Sequence, residues 1–152
     1  MTDPQPLAML LQHSERQRDA ALAEHQRARA ASDAAALQAE QLRGYRRDYE
    51  QRWQAQFRSG GQMELVRCYQ SFMERLTHAV EQQAQIAEHA AAQAAHALAA
   101  LRGCELRCAS VRKLVERRTE TARVGADRLE QRRHDEHASR AAWDHAKATR
   151  AD

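Results

Sequence analysis

The residues in this chain best suited to chemistry are three cysteines and eight histidines. Cys104 and Cys108 stand four apart, so on a helix they share one face, and the hairpin pairing derived below brings His13 near them. Thiolates and imidazoles are ordinary zinc ligands, but zinc takes four and no fourth ligand is evident. Cysteine is equally a small apolar residue that suits a helix seam. His134 and His137 lie one helical turn apart and could grip a metal weakly. With Asp135 and Glu136 between them they fit a solvated helix face better. Arg112, Arg117, Arg118, Arg123, Arg128, Arg132 and Arg133 could attract phosphates. They alternate with Glu116, Glu120, Asp127, Glu130, Asp135 and Glu136, which dilutes any phosphate-tracking stripe, and Glu120 with Arg123 makes a neighbouring pair on a helix. Nothing in the chain has the spacing of a nucleophile triad, a phosphate loop or a paired-carboxylate site. The expectation is a protein that is not an enzyme, with no cofactor, no metal and no nucleic-acid partner.

The composition points to long helices as the elements that position these residues. Both prolines fall in the first six residues, glycine occurs five times in 152, and Ala, Gln, Glu, Arg and Leu dominate. Aromatics at 5% are too few for a three-dimensional core, so the buried surface must be a narrow seam. The net charge of +3 reflects a mixed surface, with a basic bias from Arg112 onward. An odd, sparse cysteine count suits a reducing cytosol. The start, Met1-Thr2-Asp3-Pro4, lacks a basic signal-peptide region, and no apolar run approaches the roughly 20 residues of a membrane span, so no membrane insertion is expected.

Six of the seven aromatic residues lie between Gln38 and Gln83. Before a Ser59-Gly60-Gly61 break runs the stripe Gln38, Leu42, Tyr45, Tyr49, Trp53. After it runs Leu65, Tyr69, Phe72, Leu76, Ala79, Gln83. Steps of four and three are coiled-coil spacing. A hairpin closed at the two glycines brings together residues whose numbers sum to about 121, because both arms rise equally from the turn. Tyr49 then faces Phe72, Tyr45 faces Leu76, Leu42 faces Ala79 and Gln38 faces Gln83.

The fold class predicted is all-α, an antiparallel two-helix coiled-coil hairpin with a longer second helix. Residues 1–152 read as a single rod, with helix one over about 6–58, a turn at 59–61 and helix two over about 62–148. Helix one keeps a seven-residue beat through Leu7, Ser14, Ala21, Ala28, Ala35, Leu42 and Tyr49, with Ser14 its one polar member. Its middle is built of small residues that permit close approach and bury little area each. Pro4 and Pro6 keep it from extending upstream. Gly103 and Gly125 sit singly in helix two and should weaken it without breaking it. The second seam steps 65, 69, 72, 76, 79, 83, 86, 90 and then takes two fours, Ile86–Ala90–Ala94, a stutter that locally unwinds the supercoil. Beyond about Val115 helix two has no partner, yet a weak apolar stripe continues through Ala122, Leu129 and Trp143 among arginines. Such a stripe either seeks another protein or frays.

This pattern resembles the FliJ family, the small coiled-coil component of the bacterial flagellar type III export apparatus. The residues that carry the resemblance are Gln38-x3-Leu42-x2-Tyr45-x3-Tyr49, the turn glycine, and Leu65-x3-Tyr69-x2-Phe72-x3-Leu76-x2-Ala79-x3-Gln83. The family often has His where this chain has Gln83. The resemblance implies a stalk-like, non-catalytic protein with three kinds of partner: the ring of a FliI-like export ATPase, the cytoplasmic domain of a FlhA-like export gate, and export chaperones. It implies a gate patch of Gln38, Leu42, Tyr45, Tyr49, Phe72, Leu76, Ala79 and Gln83. The ATPase would meet the first turns with the later part of helix two: Leu7, Leu11, Arg112, Val115, Arg118, Ala122, Arg123 and Leu129. The implied location is the cytoplasm, peripherally at the inner face of the cell membrane. The stalk of a virulence-type injection system is the alternative reading, and a basic coiled coil that binds nucleic acid is a more distant one.

Overall fold

A computed structural model describes residues 5–150. Pro4 and the start of the chain therefore lie outside the described residues. Two helices account for nearly all of the rest: α1, Gln5–Arg58, and α2, Met63–Thr149, packed as an antiparallel coiled-coil hairpin with the longer helix second. Pro6 sits in the first turn of α1, where a missing N–H costs nothing because that turn's donors have no intrahelical partner. Gly103 and Gly125 are both carried within α2 without a break. Among the described residues no helix is long and apolar enough to cross a membrane.

The bend is built from local hydrogen bonds. The last turn of α1 tightens as the Ser59 and Gly60 amides donate to the Gln56 and Phe57 carbonyls, at 3.3 and 3.4 Å, and the Ser59 hydroxyl donates to Gln56 at 2.8 Å. Gly60 then takes φ +100°, a region that L side chains enter only at a cost. A Cβ on Gly61 would stand 2.8 Å from the Phe57 ring, so the missing side chain is what lets that ring lie over the bend. The Gln62 carbonyl accepts from the Val66 amide at 3.2 Å as α2 begins, with Glu64 in its first turn where the helix dipole favours an acid.

The described residues group into two compact units, Arg16–Leu106 and the segments on either side of it. Within Arg16–Leu106 one continuous series of sheltered positions runs through α1 at 18, 21, 25, 28, 32, 35, 39, 42, 46, 49 and 53, and another through α2 at 66, 69, 73, 76, 80, 83, 87, 90, 94, 97, 101 and 104, with Gly44, Phe57, Thr77, Ala79, Ala84, Leu98 and Gly103 half-buried beside them. Both runs alternate threes and fours without interruption. The Trp53 and Tyr69 rings lie 5.1 Å apart and extend through Phe57 into one aromatic cluster. Ala35, Ala39, Ala97 and Leu101 are the most completely buried residues of this unit, and the three alanines are small enough to permit close helix approach.

This burial corrects the expected path of the second seam. The residues out of solvent are Val66, Met73, Val80 and Ala87, with Leu65, Phe72 and Ile86 exposed one position earlier. No pair of successive fours occurs, and there is no stutter. The larger apolar stripe loses the seam because the smaller one keeps unbroken phase with Ala90, Ala94, Ala97 and Leu101. The expected cross-helix pairing is met at both of its limits. Tyr49 and Phe72 have ring centroids 5.0 Å apart, and the Gln83 amide donates to Gln38 Oε1 at 3.2 Å and to the Ala35 carbonyl at 3.5 Å.

In the other unit Leu7, Leu11 and Ser14 of α1 share burial with Cys108, Val111 and Val115 of α2. Ser14 satisfies its buried hydroxyl by donating to the Leu10 carbonyl at 2.9 Å. From Glu116 to Arg150 every side chain except Val124 is exposed.

Candidate protein-docking surfaces

In the Arg16–Leu106 unit the eight residues of the expected gate patch divide into two sets. Leu42, Tyr49, Leu76 and Gln83 are half-buried in the seam. Gln38, Tyr45 and Phe72 stand exposed on one flank, and Ala79 is half-buried beside them. Tyr45, expected opposite Leu76, is 60% exposed, and the seam position next to it belongs to Arg46. The helical spacing explains the division: positions 38 and 45 precede the seam residues Ala39 and Arg46 by one residue, a rotation of about 100° around the helix. The same offset sets Leu65, Phe72, Ala79 and Ile86 apart from the seam of α2. Leu65 and Ile86, 40% and 54% exposed, are thus flank residues that the sequence reading assigned to the seam. Their seven-residue spacing was visible, but so was that of the rival stripe.

The opposite flank of the same unit is polar. A hollow of about 620 Å³ there is lined by Arg46, Glu50, Glu74, Thr77, His78 and Glu81, among others. The Arg46 stem lies in the seam, and its Nε is buried without a hydrogen-bond partner. His25 is likewise a seam residue, with Nδ1 buried and unpartnered.

In the other unit Leu7, Leu11 and Val115 are half-buried seam residues, whereas Arg112, Arg118, Ala122, Arg123 and Leu129 are exposed. Arg112 donates to Glu15 at 3.4 Å and to Cys108 Sγ at 3.8 Å, an ion pair in a geometry half open to water. Arg123 is engaged within its own helix. Its Nε and Nη2 donate to Glu120 at 3.1 and 2.8 Å, and that carboxylate raises the guanidinium pKa above its ordinary value. Cys108, 2% exposed, and half-buried Cys104 are seam residues, while His13 is exposed. Among the described residues no three His, Cys, Asp or Glu side chains are grouped to hold a metal. Exposed Trp143 and Leu129 continue the apolar beat of Val115 and Ala122.

The described residues thus present two exposed surfaces, an aromatic flank beside the bend and an arginine-rich helix. No curated protein and no solved structure matches it. Residues 3–147 match the model of the family described as "Flagellar FliJ protein", and the match takes in the bend, both seams and most of the exposed helix. The chain therefore belongs to the FliJ family, a non-catalytic component of the flagellar protein export apparatus.

Proposed function

We propose that this protein links the export ATPase ring to the export gate, binds export chaperones, and works at the inner face of the cell membrane. The observation that carries the reading is the stretch of α2 after Val115. A helix of about 35 residues, or roughly 50 Å, exposes Ala122, Leu129 and Trp143, seven and then fourteen residues apart, with arginines between them. Arg118 and Arg132 stand at the alternate seam positions, where a second copy of the same helix would meet them with like charge. The surface fits a partner that brings carboxylates, which arginine binds in a two-point fork. The lumen of an ATPase ring is the assigned partner. Leu7, Leu11, Arg112, Val115, Arg118, Ala122, Arg123 and Leu129 are the assigned contacts, with Arg123 reaching a partner only by leaving Glu120.

The export gate is assigned to the bend-side unit. Tyr45 and Phe72 supply the exposed contact, with Gln38 and Ala79 beside them. Leu42, Tyr49, Leu76 and Gln83 set the flank's geometry from the seam. The experiment is a pair of variants assayed against both partners. Tyr45→Ala with Phe72→Ala should weaken binding to the gate domain by tenfold or more and leave stimulation of the ATPase intact. Removal of everything after Val115 should do the converse. Equal loss of both activities in either variant contradicts the assignment.

A further inference from the structure

After Val115 the seam of α2 reaches solvent, yet its beat of threes and fours continues through 118, 122, 125, 129, 132, 136, 139, 143 and 146, all of them exposed. Two of these positions are large and apolar, Leu129 and Trp143, 52% and 72% exposed. One is open: a Cβ added to Gly125 would have nothing within 4 Å. Two carry opposite charge one turn apart, Arg132 and Glu136, and neither is in an ion pair among the described residues.

A second copy of this helix answers all of these positions in one arrangement. Parallel copies set each residue against itself, so Arg118 meets Arg118, Arg132 meets Arg132 and Glu136 meets Glu136. Antiparallel copies centred on His134 match residues equally far before and after it. Arg132 then meets Glu136 of the second copy, Leu129 lies beside Ser139, Trp143 lies over Gly125 and Ala122 lies beside Ala146. Two-fold symmetry makes every layer occur twice. A shift of one heptad in either direction sets Trp143 against Arg118 or Arg132 and leaves Glu136 opposite Gly125 or Ser139. In the His134-centred register Arg118 faces Arg150 only past the end of α2 at Thr149. Along one edge Arg128 runs near Asp135 of the second copy. Along the other, Arg133 and Arg140 have Glu130 and Asp144 of their own helix three and four residues away, which offsets their like charge.

We propose that the exposed stretch of α2 pairs antiparallel with the same stretch of a second copy of this chain, centred on His134. The small residues at 122, 125 and 146 let the two helices close, and the Trp143 ring fills the space that a side chain at 125 would take. The pair covers Ala122 and Leu129, two of the contacts assigned above to the ring lumen. The paired form therefore holds this helix away from the ATPase, and dissociation releases it. That exclusion rests on the ring reading; the pairing itself does not.

Sedimentation equilibrium of the full chain tests the pairing. The chain should form a dimer that dissociates on dilution and in high salt, and the chain ended after Val115 should stay monomeric. Arg132→Glu and Glu136→Arg should each weaken the dimer about tenfold or more, because each sets like charges together. Thermal melting of the dilute monomer should not change, since both side chains are exposed in it. The two substitutions combined should restore the dimer, because an antiparallel layer then holds the same pair reversed. Trp143→Ala should weaken it without rescue by either. A chain that is monomeric at every concentration, a dimer that survives truncation, or a double variant as weak as the single ones overturns the proposal. Excess export ATPase, added to the dimer, separates the two levels and should convert it to ATPase-bound monomer. ATPase bound to an intact dimer overturns the exclusion alone, and ATPase that binds neither form overturns the ring assignment alone.

Discussion

Arg46 sits in the seam of the bend-side unit although its type predicts a surface position. Its aliphatic stem lies in the seam and its head reaches the polar flank, at the cost of a buried Nε with no hydrogen-bond partner. Replacing it by leucine removes that orphaned donor and keeps the apolar volume. Arg46→Leu should raise stability by about 1 kcal/mol in denaturant melts. Gly60 makes the opposite case, since nothing crowds it and its backbone alone demands glycine. With φ at +100°, Gly60→Ala should lower stability by about 1–2 kcal/mol despite the open space around it. An unchanged melting transition would mean that the bend relaxes into another turn. Gly60 was legible in the sequence because a glycine pair between two helical patterns has few other uses. Arg46 was not, because charge hides the packing value of a long side chain.

For the helices, element type and boundaries followed from composition and breakers: the absence of proline after Pro6 and the single glycine pair leave room for two helices and one bend. What periodicity alone could not choose was which of two adjacent seven-residue stripes on α2 faces α1. Leu65, Phe72 and Ile86 outrank Val66, Met73 and Ala87 in size, and size suggested the seam. Phase decided otherwise, since only the second set continues into the alanine-rich stretch by regular threes and fours. Sequence alone therefore placed Leu65 and Ile86 in the seam, where the structure leaves them exposed. Mutational cost distinguishes the two sets. Leu101→Ala, in a position 6% exposed, should cost about 2–3 kcal/mol. Ile86→Ala should stay within about 0.5 kcal/mol. Comparable losses at both positions would return Ile86 to the seam.

At the level of the whole molecule, the exposed stretch of α2 contributes charge and length with almost no burial: residues 116–150 shelter only Val124. Ending the chain after Val115 should therefore leave the melting transition of the remaining hairpin unchanged while removing the surface proposed for the ATPase. A lower transition would show that the exposed helix supports the seam. The central claim is that one chain engages two different machines at once. It is tested most directly by asking whether the protein makes one co-precipitate with the other. Purified gate domain on beads should retain the export ATPase in the presence of the full chain, and should lose it with the Tyr45→Ala, Phe72→Ala variant or with the chain ended after Val115. Retention of the ATPase by either variant at the level of the full chain, or no retention by the full chain itself, would contradict the account.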